Sequence, residues 1–133
     1  MFFSVLCTAI SITAVVGYPE FKSKIPNGIS VNDPCGRGEW HGVGHYLMGG
    51  TGQLNPFGED FAAGGFVWTY ELCKKDSDFD GKTNGEELGD PFCHFTSLKR
   101  RNLGRARSHP GICEPIGSPN CEWQRFSCPN VSV

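Results

Sequence analysis

The sequence carries no marked excess of either charge: 12 Lys and Arg stand against 14 Asp and Glu, for a formal net charge of −2. That balance excludes a general nucleic-acid binder, which needs a basic excess to engage phosphates. There is no phosphate loop, because neither G-x-G-x-x-G nor G-x-x-x-x-G-K-[ST] can be laid on the glycine-rich stretch 49–58. There is no G-x-S-x-G elbow, so serine-hydrolase chemistry is not signalled. H-E-x-x-H is missing as well, since Gly42 stands where a zinc protease places its glutamate base. Internal repeats are absent, and after residue 17 no apolar run approaches the ~20 residues of a membrane span.

What is present begins with a leader. Met1 to Gly17 is an uninterrupted run of apolar and small residues, without Lys or Arg, that reads as a secretory signal peptide cut ahead of Tyr18. Cys7 leaves with it, and six cysteines remain: Cys35, Cys73, Cys93, Cys113, Cys121 and Cys128. An even count in a secreted chain implies disulfides, with the connectivity left open. Short loops cost least to close. That favours pairing of neighbours, Cys35 with Cys73, Cys93 with Cys113 and Cys121 with Cys128, against a competing bridge from Cys73 to Cys93.

The stretch Asp76 to Glu87, D-S-D-F-D-G-K-T-N-G-E-E, states its chemistry most directly. A calcium loop of the EF-hand kind takes ligands at positions 1, 3, 5, 7, 9 and 12 and turns on a glycine at position 6. Those positions hold Asp76, Asp78, Asp80, Lys82 through its carbonyl, Asn84 and Glu87, with Gly81 at the turn. Calcium is a hard cation that collects oxygens, and three crowded aspartates repel one another unless a cation lies between them. Thr83 at position 8, where a paired EF-hand carries an aliphatic residue, and Pro91 soon after the loop point to a lone structural brace rather than a sensor.

The expected fold is α+β, a small, loop-rich, disulfide-linked domain with a helix leading into the calcium loop and a few short strands. Asp60 to Lys75 is the best helix candidate, with Asp60 as its N-cap. A short strand is expected at 29–31, a loop at 49–58, and about one turn of helix from Glu86 to Gly89. Turns fall at 108–111 and 118–120. Residues 18–115 form the calcium-binding domain, and 116–133 a cysteine-containing tail.

Other candidate chemistry is thinner. His41 and His45 are four apart, a spacing that puts both on one side of a helix or strand, and His94 and His109 are candidates to complete a copper or zinc site. A copper-dependent redox protein using His41 and His45 is therefore the alternative to a binding protein. Lys99, Arg100, Arg101, Arg105 and Arg107 form a basic run that reads as a solvated loop ahead of a site for an anionic partner. Its Lys99-Arg100-Arg101 core resembles a dibasic processing site, which makes a peptide-hormone precursor a second alternative. Asn130-Val131-Ser132 is a glycosylation sequon.

Taken together, several stretches form a pattern: Tyr18-Pro19-Glu20-Phe21, Ile25-Pro26-Asn27-Gly28, Pro34-Cys35, Trp40-His41-Gly42-Val43-Gly44-His45 and Asn55-Pro56-Phe57-Gly58. Asp60-Phe61-Ala62-Ala63, Glu71-Leu72-Cys73, the loop through Gly89-Asp90-Pro91, and His109-Pro110-Gly111-Ile112-Cys113-Glu114-Pro115 extend it. The chain thereby resembles the temptin family of molluscan secreted pheromone proteins from Tyr18 to about Pro115. The resemblance implies an extracellular, water-borne attractant without catalytic turnover. It also implies action in complex with other secreted proteins such as attractin, and an unknown receptor. The basic segment near 99–107 and the tail from Ile116 depart from the pattern.

Overall fold

The computed structural model describes residues 23–96, 98–99 and 103–129. The expected leader, Arg100, Arg101 and the sequon at Asn130 lie outside the described residues. Among the described residues the architecture is small α+β: a two-residue antiparallel pair, three short helices and a 3₁₀ turn. β1 (Val31–Asn32) pairs with β2 (Glu39–Trp40) so that Val31 faces Trp40. The strand lies two residues beyond the expected start, because the Pro26-Asn27-Gly28 turn runs on to Ser30, whose N–H bonds Asn27 O at 2.9 Å.

The single helix expected over 60–75 is two helices. α1 (Pro56–Ala63) starts inside the expected loop: Asn55 accepts from the Gly58 N–H at 2.9 Å, and Pro56 supplies a helical φ at the first position. Asp60 is therefore interior to α1 and caps nothing. Gly64 and Gly65 end it, with Gly65 in the left-handed region at φ 81°. The chain restarts as α2 (Tyr70–Lys74), where Thr69 Oγ1 accepts from the Leu72 N–H at 3.0 Å. α3 (Asn84–Leu88) is capped by Thr83 and closed by Gly89 at φ 82°, so it stops before Pro91 has any part in ending it.

The core gathers Val31, Trp40, Phe57, Phe61, Leu72, Leu88 and Ile112. Asn55 is fully buried at its centre with every amide atom satisfied. Its Nδ2 donates to Val43 O at 2.8 Å and to His45 O at 3.0 Å. Trp40 Nε1 donates into the same loop, to Gly42 O at 3.0 Å. The glycines of Trp40-His41-Gly42-Val43-Gly44-His45 serve this packing. A Cβ on Gly42 would collide with the Gly50 backbone, and one on Gly58 with the Gly44 carbonyl.

The disulfides are Cys35–Cys128, Cys73–Cys93 and Cys113–Cys121, spanning 93, 20 and 8 residues. The neighbour pairing is thus corrected in all three bridges, and the competing Cys73–Cys93 bridge is the one formed. Closure cost grows only logarithmically with loop length, so the packed fold decides which thiols meet. The chain beyond residue 115 returns to the core: Phe126 lies 6.4 Å from both Trp40 and Tyr46, and Cys128 ties it to Cys35. Peptide mapping without reduction should return these three bridges; recovery of a Cys35–Cys73 peptide would contradict the fold.

Candidate metal centre

The segment from Asp76 to Thr83 joins α2 to α3, and the two helices pack directly on each other. Several long-range contacts set it in place. The Asn84 N–H donates to Lys75 O at 2.7 Å, closing the loop at its base. Asp60, on α1, accepts from Lys75 Nζ at 2.7 Å and from Ser77 Oγ at 2.8 Å. The Cys73–Cys93 bridge brackets the whole unit. Gly85 lets α3 settle against Cys73 Sγ and Asp90 O, where a Cβ has no room.

Inside the loop the aspartates curl the backbone around themselves. Asp76 accepts from the N–H groups of Asp80 and Gly81 at 3.2 and 2.8 Å, and Asp80 accepts from the Lys82 N–H at 3.0 Å. Asp76, Asp78 and Asp80 each bring a carboxylate oxygen to within 4.8 Å of the others. Glu87, on α3, lies outside that group but near enough for Asp78 and Asp80 to act on its carboxyl. It is fully buried, and its Oε1 accepts from Ser108 Oγ at 2.9 Å.

Three buried carboxylate oxygens have no protein partner: Asp78 Oδ2, Asp80 Oδ2 and Glu87 Oε2. Burial pushes Asp78 up to about 9, with the charge of Asp80 adding to it. Burial likewise pushes Glu87 up to about 11, reinforced by Asp78 and Asp80. Buried, unpaired carboxylates of one sign are costly. A hard cation answers that cost, and the donor set, all oxygen, suits calcium rather than a soft or imidazole-seeking metal.

The remaining expected ligands behave differently. Lys82 lies on the exposed side of the loop. The Asn84 amide is engaged elsewhere: Nδ2 donates to Leu72 O and Ser77 Oγ, both at 2.8 Å, and Oδ1 accepts from the Ser77 N–H at 3.4 Å. Asp60 and Ser108, which hold the loop and Glu87, carry no local sequence signal, because each acts across a separation of 15 to 21 residues. Phe79, two-thirds exposed at the outer turn, meets Trp123 edge-on at 5.5 Å.

The four histidines do not converge. Among the described residues, Asp76, Asp78 and Asp80 make up the one group of three or more His, Cys, Asp or Glu that closes on a point. His41 and His94 are exposed, whereas His45 is buried with Nδ1 3.1 Å from Gly52 O. His109 is fully buried, 4.7 Å from the Trp40 ring in an edge-on contact, and its Nδ1 accepts from the Gly111 N–H at 3.0 Å. No three of His41, His45, His94 and His109 come together in one such group.

Comparison with known proteins follows the same residues. A family model described as Temptin C-terminal matches residues 15–112. The chain is 50% identical over 98 residues to Temptin of Aplysia californica, covering 73% of this chain and 78% of that one. No solved structure matches.

Burial pulls His109 down to about 3, against the opposing pull of the Asp33 carboxylate. The unfolded chain protonates this imidazole near the ordinary value of about 6.5, and the folded chain does not. Stability is therefore full above about 6.5 and is lost as pH falls from there toward 3, with a limiting slope of about 1.4 kcal/mol per pH unit. His109→Asn keeps an acceptor for the Gly111 N–H and cannot titrate. Urea unfolding between pH 7 and pH 4 should show a clearly shallower loss in this variant than in the parent; equal slopes would contradict the assignment.

Proposed function

This chain belongs to the temptin family, and on that premise we propose that it is a secreted signal of the pheromone type. In this reading it is braced by calcium and acts by binding other secreted proteins of the attractin kind rather than by catalysis. The observation that carries the functional reading is the 50% identity to a temptin over most of both chains. Three disulfides fit an oxidising, extracellular setting. Among the described residues no helix is long and apolar enough to cross a membrane.

Calcium bracing is carried by the three orphaned oxygens of Asp78, Asp80 and Glu87. Asp76, Asp78, Asp80 and Glu87 would hold the ion by side chain and Lys82 by its carbonyl, with Asn84 supporting the loop from behind. The ion supplies charge neutralisation and cross-links α3 to the loop; it has no part in any reaction.

Two experiments separate these claims. The mature chain, mixed with an attractin-like protein in calcium, should co-elute with it on gel filtration; separate elution would count heavily against the partner reading. For the brace, calcium at about one hundred times its dissociation constant should add about 2.7 kcal/mol and raise the melting temperature by roughly 10 °C. Glu87→Gln should abolish that increment and also melt higher than the parent in chelator, since glutamine fills the place without the proton uptake that burial forces on the Glu87 carboxyl. A parent melting temperature unaffected by chelation would refute the brace.

A further inference from the structure

We infer that the basic strip at residues 105–107, together with Lys82 of the loop, forms a docking groove for an acidic segment of a polypeptide partner. Lys82, Arg105 and Arg107 line one open groove of about 840 Å³ whose other walls include Glu86, Pro91 and Phe92. All three cations are exposed, and among the described residues none of them is in an ion pair. Arg105 and Arg107 line the same groove in a stretch without regular structure, and the intervening Ala106 packs toward the core.

The strip is fixed in position, so its charges form a site rather than a solvated tail. The Gly104 N–H donates to Gly89 O at 2.9 Å and the Arg107 N–H to Glu87 O at 2.7 Å. Asn27 Nδ2 bridges Leu88 O and Gly104 O, each at 2.8 Å. Gly89 makes the approach feasible: it sits at φ 82°, and a Cβ there would press into the carbonyls of Gly104 and Arg105. The wall bearing Phe92 is fixed in turn by Asp90, which accepts from the N–H groups of His94 and Phe95 at 2.9 and 3.1 Å.

The lining selects the class of partner. Positive charge on one side calls for carboxylates, and the three-quarters-exposed Phe92 offers apolar contact to a neighbouring side chain. Glu86 inside the groove opposes a uniformly sulfated chain, which repeats its charge along its whole length. An acidic peptide with an occasional apolar residue meets both conditions. This inference rests on the reading of the chain as a binding protein. A synthetic probe tests it apart from the natural partner, so the two can fail separately.

The probe is a fluorescein-labelled peptide, Glu-Glu-Tyr-Glu-Glu-Leu, titrated with the full mature chain and followed by anisotropy at low salt. The paired change Arg105→Glu and Arg107→Glu should weaken binding by about tenfold or more, whereas Lys74→Glu, an exposed charge on α2, should leave it within about twofold. The neutral pair Arg105→Gln and Arg107→Gln, expected to weaken binding less, carries the test if the reversed pair does not fold. Equal loss in Lys74→Glu would reduce the effect to net charge and overturn the groove, as would absence of binding by the parent. Tighter binding of a heparin oligosaccharide, lost in the same variants, would overturn the peptide in favour of a polysaccharide.

Discussion

Glu87 is fully buried, and all but one of its polar atoms are tied to the chain around it. Its carbonyl accepts from the N–H groups of Arg107 and Ser108 at 2.7 and 3.3 Å, holding the basic strip against α3. One carboxylate oxygen takes the Ser108 hydroxyl, and the other lies unpartnered beside Asp78 and Asp80. A cation that pairs with that oxygen fastens the loop, α3 and the strip at a single point. Without it, burial and the neighbouring Asp78 and Asp80 force a proton onto the same residue, whose second oxygen is then left buried without a partner.

The second centre of order is apolar and independent of any ion. Trp40, Asn55 and His109 lie buried within it: Trp40 and Asn55 donate into the 42–45 loop, and the His109 ring meets Trp40 edge-on. Close glycine contacts let the 42–50 loop and α1 approach, and Phe126 and Cys128 bring the end of the described chain back over the same core. With no helix longer than eight residues among the described residues, regular hydrogen bonding accounts for little of the cohesion. Side-chain bonds to backbone, disulfides and a few large rings do most of it, as in other small secreted domains.

The legibility of this fold in its sequence follows the range of the interactions. The clustering of Asp76, Asp78 and Asp80 is legible because their spacing along one loop is local. Thr83 and Gly89 cap α3 through equally local contacts, yet the expected helix starts late at Glu86 and takes in Gly89, and Gly89 rather than Pro91 ends it. The Gly64-Gly65 pair is a visible break that the aromatic face of Phe61, Phe66 and Tyr70 obscures, which is why one helix is expected where two form. Long-range facts leave no such trace. Nothing near Cys35 points to Cys128, nothing near Asn84 shows that Leu72 O and Ser77 Oγ engage its amide, and two histidines four apart look alike whether they face a metal or a packed glycine loop.

The central claim is that the crowded oxygens of Asp78, Asp80 and Glu87 exist to hold one calcium ion. Native mass spectrometry of the disulfide-intact mature chain, titrated with calcium up to about 1 mM, tests it most directly. The account predicts a single calcium adduct per chain that saturates before any second appears, and its loss in Glu87→Gln. A chain that stays metal-free, or that gathers a statistical ladder of adducts unchanged by that substitution, would contradict it.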